Sequence, residues 1–291
     1  MTQTGVVELR IVFKKDLPAA REILGLWLST AGISCERRIE QEGLGKSLSS
    51  VSVYFPDRTT ASGVLRQLQQ QKFSHISSSL HTHRRQDWES AWKKGWKPFS
   101  LTRRFHIIPL WQEDRLYPAG KVPVFLDTTN AFGTGLHETT RFTAQIIDQL
   151  SGTFSSFLDI GTGSGILAVV AARLGASRVL AFDIDPDAVS VAKANLAANN
   201  LSLVTVRKAD IARFVPRKLF DCVAANLVTP DLLRCQESIA ACVAPGGHLV
   251  VSGISLASLP LFSRSFSPEG FSRVRLVKGK EWAAVLFRRH L

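Results

Sequence analysis

One stretch constrains this chain more than any other: Asp159-Ile160-Gly161-Thr162-Gly163-Ser164-Gly165. It stands between an apolar run, Phe154 to Ile160, and a helical pattern, Ser164 to Leu174. A glycine-rich turn from strand to helix lets the backbone approach a ligand closely, and the helix N-terminus behind it offers unpaired N–H groups. Further βα units follow. Strands are predicted at Arg178 to Asp183, Leu203 to Val206, Phe220 to Ala225 and His248 to Gly253. Helices are predicted at Pro186 to Asn199, with proline in its first turn, and at Pro230 to Val243. Ser272 to Val277 and Trp282 to Phe287 close the chain as an antiparallel pair. Such alternation builds a doubly wound α/β fold, a parallel sheet with helices on both faces.

The glycine spacing narrows the ligand. A dinucleotide loop needs glycine at its first, third and sixth places. Here the third glycine, Gly165, is in the fifth place and Ile166 in the sixth, which disfavours NAD and FAD. Asp183 ends the next strand, 22 residues past Gly161, where a carboxylate can accept from two ribose hydroxyls. Asp185 reads as a helix N-cap, because Pro186 follows it. Asp210 reads equally as an acceptor for an adenine amino group or as the cap of the following turn.

Upstream, residues 1–85 read as a small α+β domain. Strands are predicted at Val7 to Phe13, Ile33 to Glu40, Ser49 to Phe55 and Ser74 to His83, with helices at Asp16 to Thr30 and Thr59 to Gln71. The order βαββαβ is that of a ferredoxin-like split βαβ sandwich. Residues 86–100 form a connecting helix, with Trp88, Trp92 and Trp96 on one face. Packing against a domain explains that stripe better than a ligand platform does. Residues 101–291 are the larger domain, entered through strands at 104–111 and 122–126.

Composition excludes several classes. With 45% apolar residues the chain is not disordered, and Pro245, Gly246, Gly247, His248 and Pro260 break its longest apolar run, so no membrane span is expected. MTQTGVVELR has no basic region followed by an apolar one, so no secretory signal is expected. The four cysteines form no C-x-x-C pair, which suits buried thiols in a reducing cytoplasm rather than disulfides or a metal site. The net charge of +12 fits nucleic acid, a ribosome surface or simply a basic solvated exterior.

A glycine loop, an apolar strand and an acidic strand end make the pattern of S-adenosylmethionine-dependent methyltransferases. More specifically, Asn130-Ala131-Phe132-Gly133-Thr134-Gly135-Leu136-His137-Glu138-Thr139-Thr140 resembles the AFGTG-x-H-x-TT segment of the ribosomal protein L-eleven methyltransferases. DIGTGSGILA (159–168), DIDPDAV (183–189), AANL (224–227) and DWESAWKKGWKP (87–98) resemble the same family in order and spacing. The resemblance implies a seven-stranded methyltransferase sheet with a smaller N-terminal ferredoxin-like domain that presents the substrate. It implies a protein-lysine N-methyltransferase in the cytoplasm, acting as a monomer on the α-amine and lysine amines of one large-subunit ribosomal protein. It implies that Thr140, Gly161, Gly163, Asp183 and Asn226 contact S-adenosyl-L-methionine, with Phe132 and Gly133 along the methionine end or methyl path and no metal. Asn226 is the candidate catalytic residue, its amide oxygen holding the incoming amine; a turn residue before Pro230 is its plain alternative.

The chemistry needs alignment of an amine with an activated methyl rather than a covalent nucleophile. An α-amine near pKa 8 is partly neutral at pH 7, whereas a lysine near 10.4 must lose its proton. His137 is the nearest candidate base, though a structural hydrogen bond suits it equally. The target is itself expected to be basic, so overall charge does not steer the two together. Local acidic residues or ribosomal RNA are the two expected recruiters, and a salt-independent substrate affinity would exclude RNA. The alternatives are a methyltransferase of another protein lysine or a small amine, and a catalytically silent ribosome-binding module. An RNA base methyltransferase is disfavoured, because Asn226-Leu227-Val228-Thr229 lacks an aromatic to stack on a flipped base.

Overall fold

A computed structural model of the chain describes residues 6–13, 24, 38–41, 50–55, 57–71, 73, 76–83, 97–112, 117–127, 133 and 135–291. It divides into two compact units, Met1–Trp96 and Lys97–Leu291. No helix among the described residues is long and apolar enough to cross a membrane.

In the first unit, β1 (Val6–Phe13), β2 (Arg38–Gln41), β3 (Ser50–Phe55) and β4 (Ile76–His83) make one sheet, with α1 (Arg58–Gln70) between β3 and β4. The order is β2-β3-β1-β4 and all neighbours are antiparallel, as a split βαβ sandwich requires. β1 buries Val7, Leu9, Ile11 and Phe13 against Val53, Phe55, Ala61 and Leu68. On its other face Glu8 is buried too, accepting from Ser52 Oγ at 2.6 Å and Arg10 Nε at 2.8 Å and lying 2.7 Å from His83 Nε2. Burial pushes the Glu8 pKa up, but those hydrogen bonds outweigh it and hold the carboxyl below its ordinary value. Asp57 caps α1 by accepting from Thr60 N at 2.8 Å. Leu24, the one described residue of the helix expected at Asp16 to Thr30, is helical and joins this core. Residues 86–96 of the expected connecting helix, with its tryptophans, lie outside the described residues, as does most of the strand expected from Ile33.

The second unit opens with β5 (Phe99–Ser100), β6 (Phe105–Pro109) and β7 (Val122–Leu126), a small sheet in that order. Then come α2 (Glu138–Gln149), β8 (Ser156–Ile160), α3 (Ile166–Arg173), β9 (Arg178–Asp183), α4 (Pro186–Ala198) and β10 (Thr205–Lys208). β11 (Phe220–Asn226), α5 (Thr229–Arg234), α6 (Gln236–Ala240), β12 (Val243–Ser255), α7 (Leu259–Ser265), β13 (Phe271–Lys278) and β14 (Trp282–Arg289) complete it. The seven-stranded sheet runs β10-β9-β8-β11-β12-β14-β13, with β14 antiparallel to both neighbours. Leu158, Ile160, Val223, Ala225, Leu249 and Val251 join one core cluster with Leu232, Ile239 and Phe262 of α5, α6 and α7. The intervening Phe157, Asp159, Cys222, Ala224 and Val250 are equally buried on the opposite face, as a parallel sheet covered on both sides demands.

Two expectations need correction. The helix predicted at Pro230 to Val243 is two helices. The backbone leaves the helical region at Cys235 (φ −106°, ψ 12°), whose side chain enters the core cluster. The second of them ends at Ala240 because Val243 already pairs with Phe220 as β12. Of the connecting helix expected over residues 86–100, residues 97 and 98 are not helical and Phe99–Ser100 form β5, because their backbone pairs with Ile107 and His106 of β6.

Candidate active site

Strand order reverses at β8, between β9 on one side and β11 on the other, so a crevice opens beyond the carboxyl ends of these strands. The glycine loop lies there. Gly161 N and Thr162 N both donate to Phe182 O, at 2.9 and 3.0 Å, tying the loop to the end of β9. Gly163 N donates to Asp183 Oδ2 at 3.0 Å, and Asp185 N to Asp183 Oδ1 at 3.0 Å. Each Asp183 oxygen thus keeps a lone pair for a further donor. Gly161 has φ +70°, and a Cβ there would fall 2.5 Å from Leu227 Cδ2, so only glycine lets the loop pass beside the end of β11. Asp185 caps α4 through Asp187 N at 2.9 Å, as Pro186 implied. Asp210 caps a 3-10 turn through Ala212 N to its Oδ1 at 2.9 Å, in line with the cap reading.

Beneath the loop lies a group that sequence reading passed over. Asp159 is 0% exposed; Oδ2 accepts from Thr162 Oγ1 at 2.7 Å, and Oδ1 has no hydrogen-bond partner among the described residues. Burial drives its pKa up to about 7, the Thr162 hydroxyl pulls it back and the nearby Asp183 charge raises it. Neither Asp159 nor Asp183 belongs to an ion pair among the described residues. A buried carboxyl with an unsatisfied oxygen beside a second carboxylate makes this corner of a basic protein locally acidic.

The third wall comes from α2. Thr140 is buried, and Asn226 at the end of β11 directs Nδ2 at its Oγ1, 3.5 Å away. That orientation turns Asn226 Oδ1 away from Thr140. His137 is the α2 N-cap: Nδ1 accepts from Thr139 N at 3.4 Å and lies 2.8 Å from Thr139 Oγ1, while the ring meets Trp282 edge-on at 5.0 Å. Burial lowers the His137 pKa against the opposing pull of Glu138, so the imidazole is neutral at pH 7. These contacts give His137 a structural place. Glu138 accepts from the backbone N–H of Lys280, Glu281 and Trp282 at 3.0, 3.2 and 3.3 Å, pinning the β13–β14 turn to α2.

Asp127 and Gly133 are both tied to the elements around the glycine loop. Asn195 of α4 and Asn199, its C-cap, pair with β7 and the residue after it: Phe125 N donates to Asn199 Oδ1 at 3.0 Å, and Asp127 N to Asn195 Oδ1 at 2.7 Å. Asn195 Nδ2 donates to Ser164 O at 2.8 Å, and Ser164 Oγ donates to Gly133 O at 2.7 Å. Gly133 is thereby held on the glycine loop. Phe132 lies outside the described residues. Of the residues singled out from sequence, Gly133, Thr140, Gly161, Gly163, Asp183 and Asn226 thus gather at the carboxyl ends of β8, β9 and β11.

A seven-stranded sheet of this order, with a glycine loop at its switch point and an acid closing the next strand, defines an S-adenosylmethionine-dependent methyltransferase fold. The loop fits that group on its own terms: close backbone, a carboxylate with spare acceptor capacity for a ribose, and an acidic corner for a cation. The profile of the ribosomal protein L11 methyltransferase (PrmA) family matches residues 27–290, and the chain belongs to that family. A relative from Geobacter metallireducens, a ribosomal protein L11 methyltransferase, is 40% identical over 212 residues, 72% of this chain and 69% of its own. One from Geobacter sulfurreducens with the same name is 34% identical over 277 residues, 90% of each chain. Among solved structures, a ribosomal protein L11 methylase from Lactobacillus delbrueckii subsp. bulgaricus superposes with a TM-score of 0.62 at 27% identity, covering 67% of this chain and all of that one.

Proposed function

We infer that this chain moves methyl groups from S-adenosyl-L-methionine to amines of ribosomal protein L11, the α-amine and lysine side chains among them. The observation that carries this reading is the convergence of Gly163, Asp183, Thr140 and Asn226 on one crevice in a member of that family. When bound, S-adenosylmethionine supplies a methyl group already activated on a sulfonium. Asp183 accepts the ribose hydroxyls, and the glycine loop admits the ligand without side-chain interference. Thr140 holds the methionine end and fixes the Asn226 amide. Asn226 Oδ1 then accepts an N–H of the incoming amine and aims its lone pair, an alignment worth several kcal/mol. Asp159 and Asp183 favour the cationic ligand electrostatically. His137, neutral and engaged as a cap, positions α2 and takes no proton.

The residues 1–85 domain presents the substrate protein in this reading, with residues 86–100 connecting it to the methyltransferase domain. The enzyme acts as a monomer, and ribosomal RNA contacts it. The cytoplasm is its compartment, in keeping with the free thiols of Cys222, Cys235 and Cys242. Calorimetry and mass spectrometry test the assignment. Asp183→Ala is expected to lower cofactor affinity about 100-fold, the worth of two charge-assisted hydrogen bonds. Asn226→Ala is expected to lower turnover about tenfold or more with cofactor affinity nearly unchanged. Unaltered affinity in the first variant, or no mass gain on L11 with the wild type, would overturn the reading.

A further inference from the structure

The sheet carries a second feature at its other end. Arg178 and Phe220 open β9 and β11, and Thr205 opens β10, so all three lie at amino ends. Arg178 stands five residues before Asp183, about 17 Å at strand rise, from the crevice described above. A groove of about 550 Å³ lies there, its walls including Arg178, Arg207, Arg217, Lys218 and Phe214. No carboxylate is among its lining residues.

Two of the cations in this groove, Arg178 and Arg207, are braced without being neutralised. Arg178 lies over the Phe220 ring at 4.0 Å and donates to Lys218 O at 3.3 Å and to Leu219 O. Arg207 lies over the Phe214 ring at 5.1 Å, and Phe214 is itself tilted against Phe182 at 4.7 Å. Rings and carbonyls fix a guanidinium and lower the entropy lost on binding, yet leave its charge in place. Arg207, Arg217 and Lys218 are exposed. Two acids close in sequence to the groove residues are engaged elsewhere. Asp221 Oδ2 accepts from the amides and hydroxyls of Ser155 and Ser156, and Asp210 caps its own turn.

Four positive charges along one groove, two of them braced and with no acid among its lining residues, match a polyanion. We propose that this groove docks the phosphodiester backbone of an RNA, leaving the methyl-transfer crevice open. The guanidinium fork suits phosphate oxygens bidentately. The aromatic faces are already covered by Arg178, Arg207 and Phe182, so bases do not stack there and the contact does not read sequence. An acidic peptide is the poorer fit: β10, the edge strand beside the groove, is four residues long and carries Arg207 and Lys208, which discourages strand addition. The choice of RNA over other polyanions rests on the ribosomal substrate proposed above.

The test uses the full chain and a labelled 20-nucleotide single-stranded RNA of mixed sequence, with fluorescence anisotropy read from 50 to 300 mM KCl. Four phosphate contacts give a slope of log affinity against log salt of about −3, at roughly −0.7 per contact. Arg207→Glu with Arg217→Glu is expected to weaken binding about tenfold or more and to flatten the slope to about −1.4 or less. Calorimetry with S-adenosylmethionine should return the wild-type affinity for this variant, which shows that it is folded. No RNA binding by the wild type, equal binding by the double variant, or equal binding of poly-glutamate would each overturn the proposal. Loss of cofactor binding in the wild type would count against the methyltransferase reading alone, and RNA binding would still decide the groove.

Discussion

Asp159→Asn separates what the buried acid costs the fold from what it does for the ligand. The folded protein holds the Asp159 carboxyl at about 7 against an ordinary 3.8. A raised folded pKa means that the folded state binds a proton which the unfolded chain has released between those values. The stability carried by the protonated form is therefore complete below pH 4, falls as pH rises and is gone above about pH 7. Three pKa units amount to about 4 kcal/mol, of which about 3 kcal/mol is lost between pH 5 and pH 8. Asparagine keeps an acceptor for Thr162 Oγ1 and removes the charge, but buries an amide N–H at the unsatisfied oxygen's place, a cost of about 1–3 kcal/mol. The expected result is a variant about 1–3 kcal/mol more stable than wild type at pH 8 and no more stable than wild type at pH 5. Urea unfolding of both proteins at the two pH values measures it, the difference between proteins cancelling the other titrations. A difference that stays constant within about 0.5 kcal/mol across this range would refute the buried-charge reasoning. At pH 8, where Asp159 is ionised, the same variant should bind S-adenosylmethionine about tenfold less tightly, because a cation loses its neighbouring charge.

Two further outcomes follow from the contacts around the crevice. Glu138→Ala leaves the amides of Lys280, Glu281 and Trp282 without their acceptor and should cost about 1–2 kcal/mol in urea unfolding at pH 7. Burial raises the Glu138 pKa, but the three amides hold it below its ordinary value overall, so this stabilisation is present above that value and is lost as pH falls through the folded pKa. A wild-type-minus-variant difference that persists at acid pH would contradict that account. Asn195→Ala frees Asp127 and Ser164 from their shared partner and should raise the KM for S-adenosylmethionine about fivefold with kcat less affected. An unchanged KM would show that Ser164 and Gly133 are positioned without α4.

Much of this site could be read before any coordinates, because its parts are local. The strand, the glycine turn and the following acid are contiguous, and hydrophobic patterning placed β9 at its observed bounds. What escaped reading is what depends on partners distant in sequence. Glu138 meets the β13–β14 turn 142 to 144 residues later, a pairing that nothing in either segment announces. Gly279 carries a trace of it: a Cβ there would lie 2.5 Å from Glu138 Oε2. Asn195 and Asn199 did leave a signal, two amides at i and i+4 on one helix, yet only the fold reveals that β7 runs alongside to receive them. Asp159 left the clearest one. A carboxylate in an otherwise apolar central strand is expensive to bury, and its place directly before the glycine loop marks it as part of the site.

The electrostatics then fall into two regions with opposite tasks. A uniformly basic protein of net charge +12 would repel both the sulfonium cofactor and a lysine-bearing target. The crevice avoids this by gathering Asp159 and Asp183 where β8 and β9 end, and by burying Asp159 so that its field acts at low dielectric. The cations of the Arg178–Lys218 groove sit at the other end of the same strands, beyond the screening length of about 8 Å at physiological salt. One sheet can therefore hold a cation at its carboxyl ends and a polyanion at its amino ends. Raising salt should weaken the second interaction steeply and leave the first, partly buried, nearly unchanged.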